Sequence, residues 1–182
     1  MRGVDISLHS NGYSLASAGL DNMVRLWDIR QLGGNHHNER LDYEVPMAVA
    51  EYHAGRSVNS AFFSPSGSQL VATTQMNTLD MLDNFHLSTD QTKPTKRVKH
   101  DNQTGRWLTT FNANWHPTLD IFVVGSMQKP RAIEIFDAEG SKVRDVYGNG
   151  LTAVASRCCF HSSTEKLIVV GGNSSGRVCI VR

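Results

Sequence analysis

The sequence has few features of an enzyme, a membrane protein or a disulfide-bonded secreted domain. No apolar run approaches the roughly 20 residues that cross a bilayer, and no G-x-S-x-G motif, phosphate-binding loop or Cys–His framework is present. The 182 residues carry a net charge of +1, so no overall field favours nucleic acid or argues against it. These absences predict a non-enzymatic protein with no cofactor, no small-molecule substrate and no membrane contact.

Cysteine is also scarce. The sequence contains three, Cys158, Cys159 and Cys179, and no C-x-x-C pair. Adjacent residues on a strand point to opposite faces, so Cys158 and Cys159 are poorly placed to pair with each other. The three cysteines are therefore predicted to be reduced, mostly buried thiols of an intracellular protein.

What the sequence does contain is a repeated strand ending. Leu26-Trp-Asp-Ile29 is a WD-type ending, and endings of similar outline close at Asp83, Asp137 and Arg182, at spacings of 55, 54 and 45 residues. A period of about 40–45 residues, stretched by loops, is typical of propeller blades. The predicted fold is an all-β, WD40-type β-propeller with about four blades, in units of about 1–53, 54–100, 101–148 and 149–182.

Each unit alternates turn residues with short runs rich in Val, Ile, Phe and Thr, which predict strands and no helix. The predicted strands are Asp5–Leu8, Tyr13–Ala18, Val24–Asp28, Met47–His53, Ser57–Phe63, Gln69–Thr74, Leu79–Asp83, Thr109–Trp115, Ile121–Gly125, Ala132–Phe136, Thr152–Phe160, Leu167–Val170 and Val178–Val181. The first unit begins at its innermost strand with nothing before it, and the last ends on its third strand. The chain is therefore interpreted as the C-terminal part of a longer propeller. A self-closed four-bladed ring is the alternative. Open edges predict that the isolated chain is marginally stable and prone to associate.

Positive charge is concentrated in the long connection after Asp83. Between His86 and Trp107 the sequence has five basic residues, Lys93, Lys96, Arg97, Lys99 and Arg106, against two acidic ones. Such residues can neutralise DNA phosphates and give affinity without sequence preference. The stretch 93–99 also resembles a weak nuclear import signal. The alternative is an ordinary solvated loop followed by a lysine-bearing outer strand.

Arg106 and Trp107 follow directly and allow two interpretations. On an exposed loop, Trp107 could stack on or wedge between bases while the Arg106 guanidinium pairs with phosphate. Alternatively, Trp107 packs between blades. The candidate DNA-binding residues are thus Lys96, Arg97, Lys99, Arg106 and Trp107.

Ser17, Asp21 and Trp27 occupy positions that predict a polar network within the first blade. In the second unit the same frame places Met76 at the position of Asp21, and a Leu at the position of Trp27. The second blade is therefore expected to depend on apolar packing alone and to be less cohesive.

The histidines do not predict a metal site. His9, His116 and His161 recur at matched positions after the innermost strand of a unit, which repeat placement explains without metal. His36-His37 is a loop pair with no Cys or carboxylate at ligand spacing.

Three stretches go beyond a generic repeat. They are Leu26-Trp-Asp-Ile-Arg30, His100-Asp-Asn-Gln-Thr-Gly-Arg-Trp-Leu108 and Phe122–Asp137, and the glycine-rich segment 171–176 adds to them. Together they resemble the C-terminal half of the WD repeat-containing protein 76 family, which is related to the small subunit of the damage-specific DNA-binding complex. The resemblance implies a seven-bladed ring in a nuclear, DNA-damage-linked protein that binds DNA and serves cullin-RING ubiquitin ligases.

The resemblance also suggests roles for individual residues. In the damage-binding relative, an aromatic-containing hairpin before the strand ending in W-H-P probes the duplex. Here that strand ends at Trp115-His116-Pro117, and the hairpin matches Gly105, Arg106 and Trp107, although the relative's aromatic–Gln–His triplet is absent. The W-D-x-R pattern implies that Arg30 contacts the ligase adaptor, with chromatin proteins as further partners. The alternative function is a protein-interaction propeller that makes no DNA contact.

Overall fold

The computed structural model describes residues 5–31, 47–87, 93–162 and 167–182. The predicted pair His36-His37 lies outside these residues. The described chain forms four antiparallel sheets, each with its strands in simple sequential order. This arrangement confirms the prediction of an all-β chain built from propeller blades. Two short 3₁₀ turns, Ile29–Gln31 and Phe85–Leu87, are the helical segments of the described residues.

The first three sheets have four strands, and the fourth has three. The first contains β1 (Asp5–Leu8), β2 (Ser14–Ala18), β3 (Met23–Asp28) and β4 (Ala50–His53), and the second β5 (Val58–Phe63), β6 (Gln69–Thr74), β7 (Thr78–Asp83) and β8 (Lys96–Lys99). The third contains β9 (Asn114–Trp115), β10 (Ile121–Gly125), β11 (Ile133–Asp137) and β12 (Lys142–Val146). The fourth contains β13 (Arg157–Phe160), β14 (Val169–Gly172) and β15 (Val178–Val181).

Two innermost strands are shorter than predicted. The expected strand Thr109–Trp115 is reduced to β9, because the Ala113 amide donates to the Thr73 hydroxyl of the neighbouring blade, 3.0 Å away, rather than to a strand. Likewise the expected strand Thr152–Phe160 begins only at Arg157. The segments before β9 and β13 are therefore connections between blades.

The apolar core lies between the blades. One buried cluster joins the first two sheets and includes Leu26, Tyr52 and Phe85. A second joins the second and third sheets around Phe111 and Phe122, and a third joins the last two sheets. Because each blade buries its faces against its neighbours, the blades stabilise one another rather than folding around separate cores.

Matched histidines connect neighbouring blades. His9 Nε2 donates to the Gly67 carbonyl at 2.8 Å, and its ring meets Phe63 edge-on. Gly67 has a φ of 75°, and a β-carbon there would overlap the His9 ring, so this turn requires glycine. His116 similarly packs edge-on against Phe160, and burial lowers its pKa. In the part of the chain that the structure describes, no group of three or more His, Cys, Asp or Glu residues could hold a metal ion.

The cysteines differ in burial. Cys158 is buried and Cys159 exposed, as neighbours on strand β13, while Cys179 is half-buried, so the expectation that most are buried holds fully only for Cys158. Burial raises the pKa of Cys158 to about 12, which keeps this thiol unreactive at neutral pH. Among the described helical segments, none is long and apolar enough to cross a membrane.

Candidate nucleic-acid interface

The connection from β8 to β9, residues 100–113, carries the most exposed aromatic side chain of the described residues. Trp107 is 84% exposed, and the guanidinium carbon of Arg106 lies 5.6 Å from the centre of its ring. Gly105 turns the chain just before them with a φ of 70°. The alternative that Trp107 packs between blades is therefore wrong.

The antiparallel strand order places this connection at one end of the blades. The same end carries the turns from the second to the third strand of each blade and the connections between blades, which together we call the loop face: 19–22, 54–57, 75–77, 100–113, 126–132, 147–156 and 173–177. The turns from the first to the second strand and from the third to the fourth lie at the opposite face. Arg106 and Trp107 are thus on the loop face, and Arg30 is on the opposite face.

The loop face and its strand ends carry more positive than negative charge. The exposed basic residues there come from five separate segments: Arg56, then Lys99 with Arg106, then Lys129, Arg157 and Arg177. The exposed acidic residues of its described loops are Asp21 and Asp101, and Asp21 is already paired with Arg25. Positive charge gathered from segments far apart in sequence creates a local field that the net charge of +1 conceals.

The five residues predicted to bind DNA separate into three places. Lys99, Arg106 and Trp107 lie on the loop face. Lys96 begins β8 at the other end of that strand, beside the turn at Gly140 on the opposite face. Arg97 is tied into the protein, so neither Lys96 nor Arg97 joins the other three.

Arg97 belongs to a buried polar cluster between the first two blades. It donates to both carboxylate oxygens of Asp80, at 2.8 and 3.0 Å, and to the Tyr52 hydroxyl at 3.0 Å. Tyr52 in turn donates to Asp80 at 2.6 Å. The hydrogen bonds to Asp80 raise the pKa of Arg97, and burial raises that of Tyr52. The role of Arg97 is therefore corrected from DNA contact to cohesion between blades.

This cluster also corrects the expectation that the second blade is held by apolar packing alone. Asp80 is fully buried on β7 of that blade, and Tyr52 comes from β4 of the first. In the first blade, Trp27 Nε1 donates to the Ser17 hydroxyl at 2.8 Å. Asp21 lies outside that bond, because its carboxylate accepts hydrogen bonds from Arg25 and the Met23 amide. The first-blade network therefore consists of Ser17 and Trp27.

The suggested import signal at 93–99 is likewise not a free peptide. Residues 96–99 form β8, whose backbone is paired with β7 from Thr78 to Met81. These four residues are therefore an outer strand that bears lysine and arginine side chains.

Arg30 lies at the end of the first blade, and its guanidinium already contacts other residues of that blade. Its side chain is 64% exposed, but its guanidinium donates to both oxygens of Asp28 and lies 3.8 Å above the Tyr13 ring. The Arg30 hydrogen bonds lower the pKa of Asp28. The planar guanidinium of Arg30, the residue predicted to contact a partner, is thus held in a fixed orientation while most of the side chain stays exposed.

Sequence reasoning missed Arg56, Lys129, Arg157 and Arg177, because single basic residues in separate turns form no run. The strand order contains the missing signal: Lys129 and Arg177 lie in turns from a second to a third strand, Arg56 follows a fourth strand and Arg157 begins an innermost strand. All four positions are at the same end of the blades.

The fold and the repeat endings define a WD-repeat β-propeller protein. The family model for the WD domain, G-beta repeat, matches residues 2–28. The DNA damage-binding protein CMR1 of Chaetomium globosum is 31% identical over 96% of this chain and 34% of its own length. That of Aspergillus terreus is 32% identical over 91% and 31%. WD repeat-containing protein 76 of Mus musculus is 38% identical over 68% of this chain and 20% of its own length.

These similarities confirm the relation to the WD repeat-containing protein 76 family that the sequence motifs indicate. The chain spans about a third of the length of the fungal relatives it matches.

Proposed function

We propose that this chain supplies a DNA-binding face to a nuclear WD-repeat protein of the DNA-damage response, and that it acts as a binding scaffold rather than as an enzyme. One observation carries the proposal: Trp107 projects into solvent beside Arg106, on the face where the exposed cations gather. The names of the fungal relatives, DNA damage-binding proteins, support it.

Phosphate contacts supply the affinity in this proposal. The exposed side chains of Arg56, Lys99, Arg106 and Lys129 lie on one face and come from three of its segments, so they can contact several phosphates of one bound DNA. Each contact releases condensed counterions and gives no sequence information. Binding through this face is therefore strongly dependent on salt and tolerant of sequence.

Trp107 supplies a preference for exposed bases. Its ring offers an uncovered π-face, and every base can stack on it. Stacking requires a base that is unpaired or easily unstacked, because a paired base is already covered by its neighbours. The face is therefore expected to favour single-stranded or distorted DNA over intact duplex.

The phosphate contacts are tested by single substitutions in the full-length protein. Lys99→Ala and Arg106→Ala are each expected to lower the slope of log K against log salt by about one unit on any DNA sequence. Lys96→Ala is the matched control, since it removes the same charge from the same strand but at the opposite face. The measurement is fluorescence anisotropy across a salt series.

A Lys96 effect equal to that of Lys99 would contradict the assignment of the loop face. An unchanged slope in all three variants would favour a propeller that binds only proteins.

We further propose that Arg30 contacts an adaptor of a cullin-RING ubiquitin ligase, while chromatin proteins are further partners. The position of Arg30 on the face opposite Trp107 supports this, because both partners could then bind together. Its pairing with Asp28 pre-orients the guanidinium, so less side-chain entropy is lost on binding.

Arg30→Ala is expected to reduce co-purification of the adaptor while thermal stability stays nearly unchanged, because exposed ion pairs contribute little. Arg30→Lys keeps the charge but loses the planar fork, and should also weaken recovery. Undiminished recovery of the adaptor with both variants would rule out this role.

A further inference from the structure

The loop that carries Trp107 is fastened at its root by one buried side chain. Asn102 is fully buried, and its Nδ2 donates to the carbonyls of Thr74 and Thr78, at 2.9 and 3.0 Å. Its Oδ1 accepts from His100 Nδ1 at 2.6 Å. All the hydrogen-bonding groups of this amide except one lone pair are thus engaged, and they bridge the loop to both ends of the turn at 75–77.

The same turn holds the loop from its outer side. Asn77 Oδ1 accepts from the Asn102 backbone N–H at 3.1 Å and from Gln103 Nε2 at 3.2 Å. Asn77 has a φ of 61°, so its side chain is presented by a left-handed backbone position. Residues 102 and 103 are therefore fixed to the second blade by side chains and not by strand pairing.

The far end of the loop is fixed independently. Leu108 packs against the apolar cluster between the second and third blades, and Phe111 is fully buried in that cluster. The Thr109 hydroxyl lies 2.8 Å from that of Ser156. Only the segment around Gly105, Arg106 and Trp107 projects between the two fastened ends.

We propose that Asn102 is the positioning residue of the DNA-binding face, holding the loop so that the Trp107 ring is presented in a fixed orientation to an exposed base. The inference rests on the proposed function. Its physical basis is that a ring on a loop ordered before binding loses less conformational entropy on stacking than a ring on a loose loop. Without the Asn102 hydrogen bonds, the Trp107 ring is still present, but its loop no longer holds it in one orientation.

Two variants test the inference in the full-length protein. Asn102→Ala removes the buried amide. Asn77→Gly removes the outer acceptor, and glycine suits the φ of 61° there, so this variant keeps the test available if the first fails to fold. The probes are a fluorescent duplex containing an unpaired bubble and the same duplex fully paired.

Both variants are expected to weaken bubble binding by about 5- to 20-fold, within the range for loss of one base stack, and paired-duplex binding by less than about 2-fold. The salt slope should stay unchanged, because no phosphate contact is removed. Asn114→Ala is the control, since it also deletes a side-chain amide hydrogen bond between blades, to the Cys158 carbonyl, but on β9, beyond the end of this loop that Phe111 anchors. It should lower stability without altering the preference for the bubble.

A double-mutant cycle distinguishes a role of Asn102 and Asn77 in positioning Trp107 from a general contribution to the stability of the fold. In a Trp107→Ala background, Asn102→Ala and Asn77→Gly should cause no further loss of bubble preference, because the ring they position is gone. Additive losses, or equal losses on both DNAs, would overturn the inference. If Trp107→Ala changes the bubble preference and neither Asn102→Ala nor Asn77→Gly does, only the positioning role fails. If Trp107→Ala changes nothing, the proposed function fails and the inference fails with it.

Discussion

Replacing Arg97 by Ala is expected to destabilise the propeller by about 3 kcal/mol, near the low end for breaking a buried ion pair. The reason is that Asp80 is fully buried and would keep only the Tyr52 hydroxyl as a partner. The effect is not expected to be larger, because the Arg97 side chain is 44% exposed and its removal lets water approach the carboxylate. Chemical denaturation of the full-length protein measures it.

The neighbouring charge on the same strand provides the control. Lys99→Ala should change stability by no more than about 0.5 kcal/mol, as an exposed surface position does. Adding Asp80→Leu to Arg97→Ala should recover part of the loss, because the buried charge is then removed along with its partner. If Arg97→Ala left stability unchanged but lowered the salt slope of DNA binding, Arg97 would be a phosphate contact after all.

The repeated strand endings allowed most of the fold to be predicted. Trp27-Asp28, Asp83 and Asp137 each end the third strand of a blade, and alternating apolar residues located the strands before them. The outer strand β8 was predicted only as an alternative and not among the main set of predicted strands. Three of its four residues are charged, and only Val98 packs against the core, so it has no alternating apolar pattern. Such an edge strand is recognised by pairing with β7, which local sequence does not reveal.

The polar cluster between blades could not be predicted for a related reason. Tyr52, Asp80 and Arg97 are brought together by the stacking of two blades, and they lie 17 to 45 residues apart in sequence. The exposure of Trp107 could not be predicted from the sequence either. An Arg-Trp pair in a loop is compatible with a ring packed between blades and with a ring that projects into solvent. Burial of its neighbours Asn102 and Phe111 resolves the ambiguity, since they anchor the loop and leave Trp107 outside.

Trp107→Ala is expected to cost about 1–3 kcal/mol in binding to DNA with exposed or easily unstacked bases, which is the range for one stacked base. The ring is 84% exposed, so its removal takes little apolar burial from the fold and should leave thermal stability nearly unchanged. Trp107→Phe keeps a smaller stacking surface and should show an intermediate loss. Because the ring neutralises no phosphate, the salt slope should not change.

The measurement that tests the account most directly compares the wild-type protein with Trp107→Ala by fluorescence anisotropy, on single-stranded or bubble-containing DNA and on intact duplex, across a salt series. The account predicts a clear loss on the first kind of DNA, a small loss on the second, an unchanged salt slope and an unchanged circular dichroism spectrum. Identical binding of both proteins to both DNAs at every salt concentration would contradict it.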